Sequence, residues 1–331
     1  MRLLVLTIAA LVALAELTGC GPSSPRPVAQ EAAKPTSVRL QLNWLPEPEF
    51  GGIYAAELEG MFAAEGLDVE IVSGGPGVAA PQLAASGKVE FAVVGGEQIV
   101  TLREQGGELV ALYAIYQDDP MGVMVHESSP HTSLKSLWLS NATMACETNL
   151  TWVKALERSF GPTSMTFVPH GASLAEFASN PSRAQQCFLF SEPVALELQG
   201  VKTRVFLARE SGFNVYNSVV ATSSAYAREH AETCERLVRA LQRGWESYLK
   251  DPGPANASMA ARNTAMSREA MDLAAAKQAN LIRTAETELL GLGAMTTERW
   301  TDIAGQLKSL GTVSEAPPAQ SLFRWSAPSR Q

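Results

Sequence analysis

The most constraining feature of this chain is a regular alternation of strand-like and helix-like segments that begins at Val38. A strand-like run over 38–44 is followed by the apolar spacing of a helix over 52–66 and by another strand-like run over 67–73. This order continues to residue 117, and a second series of the same kind covers 121–208. Strands and helices that alternate at this spacing predict βαβ units and mainly parallel sheets.

The two series predict an α/β protein with two lobes. A chain of 331 residues with 46% hydrophobic content is long enough to bury two cores. A strand after residue 216 and mostly helical text to residue 310 indicate a return to the first lobe. We expect one lobe from residues 38–121 plus 216–331, including a helical C-terminal region, and a second from residues 122–215. A ligand cleft is expected between the lobes.

The N-terminal segment indicates export. The apolar run over 3–15 is too short to span a membrane and precedes the sequence LTGC, which ends at Cys20 and resembles a bacterial lipobox. We therefore expect a signal peptide over 1–19, lipidation of Cys20, and a Pro-, Ala- and Ser-rich tether over 20–37. The protein would be exported and lipid-anchored to the cell membrane. A plain secretory signal with an incidental cysteine is the alternative.

The charge of the chain and the spacing of its cysteines and histidines indicate which partners, disulfides and metal sites to expect. The formal net charge of −8, without a basic patch, argues against binding of nucleic acid. After export, Cys146, Cys187 and Cys234 could form one disulfide in three pairings, and Cys146 with Cys187 is the preferred pair. The histidines are scattered and neither CxxC nor HxxxH occurs, so no metal site is expected.

Candidate site residues follow the predicted strands, because ligands of parallel sheets bind beyond the carboxyl ends of the strands. Rings, glycines, amides and carboxylates gather at these positions, a set that suits a flat, partly polar heterocycle. The candidates are Asn43, Trp44, Glu49, Phe50, Gly51, Tyr54, Gly75, Gly96, Glu97, Tyr116, Gln117, Glu147, Glu192, Tyr216 and Asn217.

Five of these candidates have a plain structural alternative. Trp44 could cap the core, and Tyr54 lies inside a predicted helix, where core packing is as reasonable as ligand contact. Gly51 could shape a turn as well as open a helix end toward an anionic group. Glu147 and Glu192 could cap helices instead of accepting hydrogen bonds from a ligand.

Motifs of catalysis are missing from the sequence. Neither GxxxxGK[ST] nor GxSxG occurs, so nucleotide hydrolysis and an α/β-hydrolase type of serine catalysis are not indicated. We therefore expect no catalytic residue and no cofactor.

Three segments carry a family resemblance. LNWLPEPEFGGIYAAELEGMFAAEGLDVEIVSGG at 42–75, LAASGKVEFAVVGGEQI at 83–99 and FLFSEP at 188–193 resemble the thiamine pyrimidine synthase-like group of periplasmic substrate-binding proteins. The resemblance covers residues 38–220. It implies a type II periplasmic binding protein fold, whose two α/β lobes close on a ligand by a hinge motion.

The resemblance also implies a function. Members include lipoproteins of ATP-binding-cassette (ABC) importers that bind pyrimidine precursors of thiamine, with relatives that bind riboflavin, sulfonates, nitrate or taurine. We expect a monomer that delivers a heterocycle to an ABC permease and its ATPase. A pyrimidine precursor is the first candidate ligand and riboflavin the second. Sulfonate or nitrate comes third, since the strand ends offer few cations.

Two other classes of function remain open. The eukaryotic branch of the resembled family makes the thiamine pyrimidine enzymatically and carries a cysteine-rich cluster. This chain has only an isolated Cys187 there, and export would separate it from cytosolic cofactors. A binding protein is therefore expected rather than an enzyme. A lipid-anchored sensor or adhesion module is the third possibility.

Overall fold

The computed structural model describes residues 34–147, 150–171 and 173–325. The predicted signal peptide, Cys20 and most of the tether lie outside these ranges. The first strand begins two residues earlier than expected, because Thr36 and Ser37 pair in register with Leu67 and Asp68 of the second strand. Residues 36 and 37 therefore belong to the fold and not to the tether.

Ten strands within the described residues form two five-stranded sheets. They are β1 (Thr36–Gln41), β2 (Leu67–Val72), β3 (Phe91–Val94), β4 (Leu109–Tyr116), β5 (Met121–His126), β6 (Thr143–Cys146), β7 (Thr166–Pro169), β8 (Arg183–Phe188), β9 (Thr203–Leu207) and β10 (Asn217–Ser223). The strand order is β2-β1-β3-β10-β4 in the first sheet and β7-β6-β8-β5-β9 in the second.

Each sheet is parallel except for one strand. In the first sheet, β10 runs antiparallel to β3 and β4, and in the second sheet β5 runs antiparallel to β8 and β9. These are the strands by which the chain enters one sheet directly from the other, after β4 and after β9. The remaining strands are joined through helices, which keeps them parallel. The predicted α/β class is confirmed.

Fourteen α-helices connect or cover the sheets in the described part of the chain. They are α1 (Gly51–Leu58), α2 (Met61–Ala64), α3 (Ala80–Ala85), α4 (Gly96–Thr101), α5 (Leu134–Trp138), α6 (Thr151–Phe160), α7 (Ala175–Ser179), α8 (Glu192–Leu198), α9 (Ser224–Glu229), α10 (Ala231–Lys250), α11 (Gly253–Arg262), α12 (Arg268–Ile282), α13 (Ala285–Leu290) and α14 (Thr297–Ser309). The helix predicted over 52–66 is divided by Gly60, which has a left-handed φ of 67°. Across the described ranges, no helix has the length and apolarity needed to cross a membrane.

Helix α1 approaches α10 closely enough to require glycine on both sides. A Cβ atom on Gly52 would overlap the ring of Trp245, and one on Gly244 would overlap the carbonyl oxygen of Gly52. Gly51 likewise lies directly beneath the ring of Tyr248. This contact fixes the start of α1, which follows the segment that leaves β1.

The expected disulfide between Cys146 and Cys187 is absent. Cys146, Cys187 and Cys234, the three cysteines of the described ranges, are buried free thiols. In the β6/β8 pair, Ala145 is level with Gln185, so Cys187 is one position out of step with Cys146. Neighbouring positions in a strand point to opposite faces, and the two thiols accordingly belong to different apolar clusters. The pairing prediction was wrong.

Candidate ligand-binding site

A cavity of about 160 Å³ lies where the ends of strands from both sheets meet. Its walls come from the segments after β1, β3, β6, β7 and β8, and from the first residues of β5 and β10. The lining residues are Asn43, Trp44, Glu47, Glu49, Gly95, Glu97, Gln98, Met121, Glu147, Leu150, His170, Gln186, Phe188, Ser191, Glu192 and Asn217.

The lining is strongly acidic. Five glutamates contribute to it, and none of the described lining residues is a lysine or an arginine. The glutamates are Glu47, Glu49, Glu97, Glu147 and Glu192. Carboxylates accept hydrogen bonds and attract positive charge, so the cavity favours a ligand that offers N–H or O–H groups.

The segment after β1 is held in place from outside the cavity. Pro46 and Pro48 restrict its backbone, and a short 3-10 turn at Pro48–Phe50 leads into α1. The Asn263 side-chain amide donates to the Pro46 carbonyl at 3.1 Å, and the Gln278 amide donates to the Pro48 carbonyl at 2.8 Å. These bonds fix the backbone that carries Glu47 and Glu49.

Glu47 and Glu49 are both buried in the inner wall of the cavity. Ser191 donates a hydrogen bond of 2.9 Å to Glu47. Burial raises the pKa of Glu47, and the bonds from its neighbours reduce that rise. Glu49 Oε1 has no hydrogen-bond partner, and burial, with the nearby carboxylates of Glu47 and Glu192, holds the pKa of Glu49 well above its usual range.

Glu192 begins α8 and also lies in the cavity wall. Its Oε2 accepts a 2.8 Å hydrogen bond from the backbone N–H of Phe188. Burial is the main cause that raises its pKa to about 7, and Glu47 and Glu147 add to it by repulsion. Glu192 thus braces the end of β8 and does not cap α8, and its contact with a ligand stays a prediction.

Glu97 also lines the cavity, from the first turn of α4. Burial, together with the Asp119 carboxylate, raises the pKa of Glu97 to about 7. Burial likewise raises the pKa of Asp119 to about 6. The Asn217 amide, itself in the lining, donates to Asp119 at 2.8 Å.

A second, outer cavity of about 530 Å³ continues the first one. The two cavities share lining residues, namely Glu97, Gln98, Glu147, Leu150 and His170. The outer walls add Thr101 and Thr151 hydroxyls. Burial lowers the pKa of His170, so its ring is held neutral. Together the cavities form one elongated cleft with an acidic inner end.

Two aromatic rings face the inner cavity. Trp44 is partly exposed after β1, and Phe188 approaches from β8. Phe188 and Gln186 both reach the cavity because alternate residues of a strand share one face. A flat ligand would find stacking partners here.

Seven of the fifteen residues predicted from the sequence line the inner cavity. They are Asn43, Trp44, Glu49, Glu97, Glu147, Glu192 and Asn217. Their contact with a ligand remains a prediction.

The predicted pocket roles of four aromatic residues were wrong, because these rings are buried in the core. They are Phe50, Tyr54, Tyr116 and Tyr216. The Tyr116 hydroxyl donates to Gln278 of α12, and the Tyr216 hydroxyl accepts a 3.1 Å bond from the backbone of Thr296. Tyr54 lies beneath the guanidinium of Arg262, 4.8 Å from the ring centre.

Four other predicted residues also lie outside the lining. Gly51 serves the contact between α1 and α10. Gly96 packs against the Tyr216 backbone, and Gln117 donates to the Ala294 carbonyl at 3.0 Å. Gly75 is buried near Leu45 and lines neither cavity, although Pro76 and Gly77 after it line the outer one.

Several lining residues are not among the fifteen candidates. Glu47 and Ser191 follow β1 and β8, and His170 directly follows β7, so the rule that found Glu192 applies to them as well. Met121, Gln186 and Phe188 lie within strands, where their direction depends on sheet register.

Comparison with known proteins supports this architecture. The riboflavin-binding protein RibY of Chloroflexus aurantiacus is 26% identical over 77% of this chain and 77% of its own length. The ligand-binding component of an ABC-type import system from Staphylococcus aureus superposes with a TM-score of 0.65 at 12% identity, over 89% of this chain and 98% of that one. The aliphatic sulphonate-binding protein of Escherichia coli gives 0.63 at 14% identity, over 90% and 95% of the two chains.

These similarities confirm the expected fold, which is that of the periplasmic binding proteins. The similar proteins named here are ligand-binding proteins and not enzymes. The sequence pattern of NMT1/THI5-like proteins matches residues 47–255, and the chain therefore belongs to the NMT1/THI5-like family.

Proposed function

We propose that this protein captures an uncharged or cationic aromatic heterocycle for an ABC importer. The observation that carries the proposal is the lining of five glutamates and two rings, without a basic residue among its described members. A sulfonate or nitrate ion would meet several carboxylates and no compensating cation. A heterocycle would stack on Trp44 or Phe188 and donate to the carboxylates.

Riboflavin is the first candidate ligand. Its three-ring system requires stacking surface, and its hydroxylated chain requires acceptors further along the cleft. The inner cavity offers the rings, and the outer cavity continues past Glu97 and Glu147. The similarity to a riboflavin-binding protein supports the same choice. Because the two cavities are continuous, we place riboflavin before the pyrimidine precursor, which is the opposite of the order expected from the sequence.

A pyrimidine precursor of thiamine is the second candidate. The inner cavity alone, at about 160 Å³, has room for a single ring with small substituents. Its buried carboxyl groups would accept hydrogen bonds from the amino group of such a ring. This candidate leaves the outer cavity without a role.

We also propose how the ligand is delivered. The protein is exported and anchored through lipidated Cys20, and it passes its ligand to a permease and ATPase in the membrane. Residues 38–121 plus 216–331 and residues 122–215 act as two lobes that close around the cleft. The two chain crossings between the sheets, after β4 and before β10, would be the hinge.

The experiment that tests the ligand is native mass spectrometry of the purified protein together with its absorbance spectrum. A co-purified yellow ligand with the mass of riboflavin would support the first candidate. A thermal shift with an aminopyrimidine and none with riboflavin would select the second. A thermal shift with neither heterocycle would contradict the proposal.

A further inference from the structure

Glu49 is the one inner carboxyl group of the described lining that is nine-tenths buried and has an oxygen without a partner. Its side chain borders the inner cavity, the residue is 6% exposed, and Oε1 makes no hydrogen bond. A buried polar atom is normally paired, and leaving one unpaired is unfavourable. Oε1 is enclosed in this structure, and the partner that it lacks would come from a ligand in the adjoining cavity when the carboxyl group turns toward it.

The groups around Glu49 do not favour a negative charge on it. Glu47 and Glu192 face it as further carboxyl groups. Tyr116 lies near it as well, but its hydroxyl donates to Gln278. None of the described lining residues brings a lysine or arginine. A carboxyl group in such surroundings is held in its neutral form, which both donates and accepts a hydrogen bond.

We propose that the Glu49 carboxyl group selects a ligand ring whose edge carries a hydrogen-bond donor beside an acceptor. The carboxyl O–H donates to the ring acceptor while the carboxyl C=O accepts from the adjacent N–H, which closes a planar pair. This inference rests on the proposed function, since it concerns the same cleft. It is narrower, because it states which edge of the heterocycle enters the inner cavity and which residue recognises it.

Both candidate ligands have such an edge, in different forms. In riboflavin the ring N–H stands between two carbonyl groups, so it offers an N–H beside a C=O. In an aminopyrimidine the amino group stands beside a ring nitrogen. A ligand that instead presented an ammonium group would require the ionised form of Glu49. Substitution of Glu49 by an amide separates the ammonium case, in which the charge is lost, from the two heterocycle cases, in which a donor and an acceptor are kept.

The test compares Glu49→Gln with Glu49→Ala in the full-length protein. Glutamine keeps one donor and one acceptor in the same place, whereas alanine keeps neither. We expect the Kd of Glu49→Gln to stay within about threefold of wild type and that of Glu49→Ala to rise at least about tenfold, the size expected for one or two lost hydrogen bonds. Glu70→Gln, which removes an exposed charge on β2, is the matched charge control.

A modified ligand gives a second measurement that needs no variant. Methylation of the ring N–H of riboflavin, or dimethylation of the amino group if the aminopyrimidine is the ligand that binds, removes the donor. Wild type should then lose at least about tenfold in affinity. Equal binding of the methylated ligand, or a loss in Glu49→Gln as large as in Glu49→Ala, would overturn the inference while heterocycle binding stands. Wild type that binds neither heterocycle would instead contradict the proposed function.

Discussion

The Ser191 hydroxyl donates a 2.9 Å hydrogen bond to the Glu47 carboxylate and thereby joins the segment after β8 to the segment after β1. The bond therefore connects the two sheets across the inner end of the cleft. It also supports a buried carboxylate that burial alone would disfavour.

Replacing Ser191 by Ala should weaken ligand binding. Without the hydroxyl, the Glu47 carboxylate loses a donor, and the unfolding free energy should fall by about 1 kcal/mol. We expect the Kd to rise by about three- to tenfold, measured by calorimetric titration. Ser86→Ala, an exposed position that bonds only within α3 and its end, is the control. An unchanged Kd in Ser191→Ala would show that the bond has no part in the ligand-binding conformation.

Trp44 and Phe50 should separate binding from stability. Trp44 lines the cavity, whereas Phe50 is fully buried in the core. Trp44→Ala should raise the Kd at least about tenfold and cost only about 1 kcal/mol of unfolding free energy. Phe50→Leu should cost about 1 kcal/mol and leave the Kd within about threefold. The opposite pattern, measured by titration and urea unfolding, would place Trp44 in the core.

The stability of the unliganded protein should depend on pH through Glu192. Folded Glu192 keeps its proton to a pKa of about 7, against 4.5 as its ordinary value. The folded state therefore binds more protons in this window, so this group's contribution to the unfolding free energy declines as pH rises from about 4.5 to 7. Glu192→Gln removes that dependence and retains an acceptor for the Phe188 N–H.

When the pH rises from 5 to 8, the unfolding free energy of Glu192→Gln should therefore increase relative to that of wild type by roughly 1 to 3 kcal/mol. Urea unfolding without ligand at the two pH values measures this difference. A constant difference between the variant and wild type would mean that Glu192 titrates normally.

The three buried cysteines should all be free thiols. Alkylation of the denatured protein without reductant, followed by peptide mapping, should label Cys146, Cys187 and Cys234 completely. Addition of reductant should leave the melting temperature unchanged. Incomplete labelling of Cys146 and Cys187 alone would restore the pairing expected from the sequence.

The sequence predicted the fold well because its signals are local and periodic. The βαβ order and the crossing near residue 121 both follow from the strand and helix periods. The rule that ligands bind after parallel strands also found Glu97, Glu147 and Glu192, since each comes within a few residues of the end of a strand.

The rings could not be placed in the same way. Tyr116 and Tyr216 stand at strand ends, yet α12 and the segment before α14 cover them. The residues that bury these two rings belong to the C-terminal helical region, far away in sequence, so no local sequence pattern predicts the burial. The direction of Phe188 depends on the register of β8 with β5.

Whether the acidic cleft binds a heterocycle is tested most simply by parallel equilibrium titrations of the full-length protein with riboflavin, an aminopyrimidine precursor of thiamine, and an aliphatic sulfonate. The acidic lining predicts saturable one-to-one binding of a heterocycle, riboflavin first, and no binding of the sulfonate at millimolar concentration. Saturable binding of the sulfonate without binding of either heterocycle would contradict it.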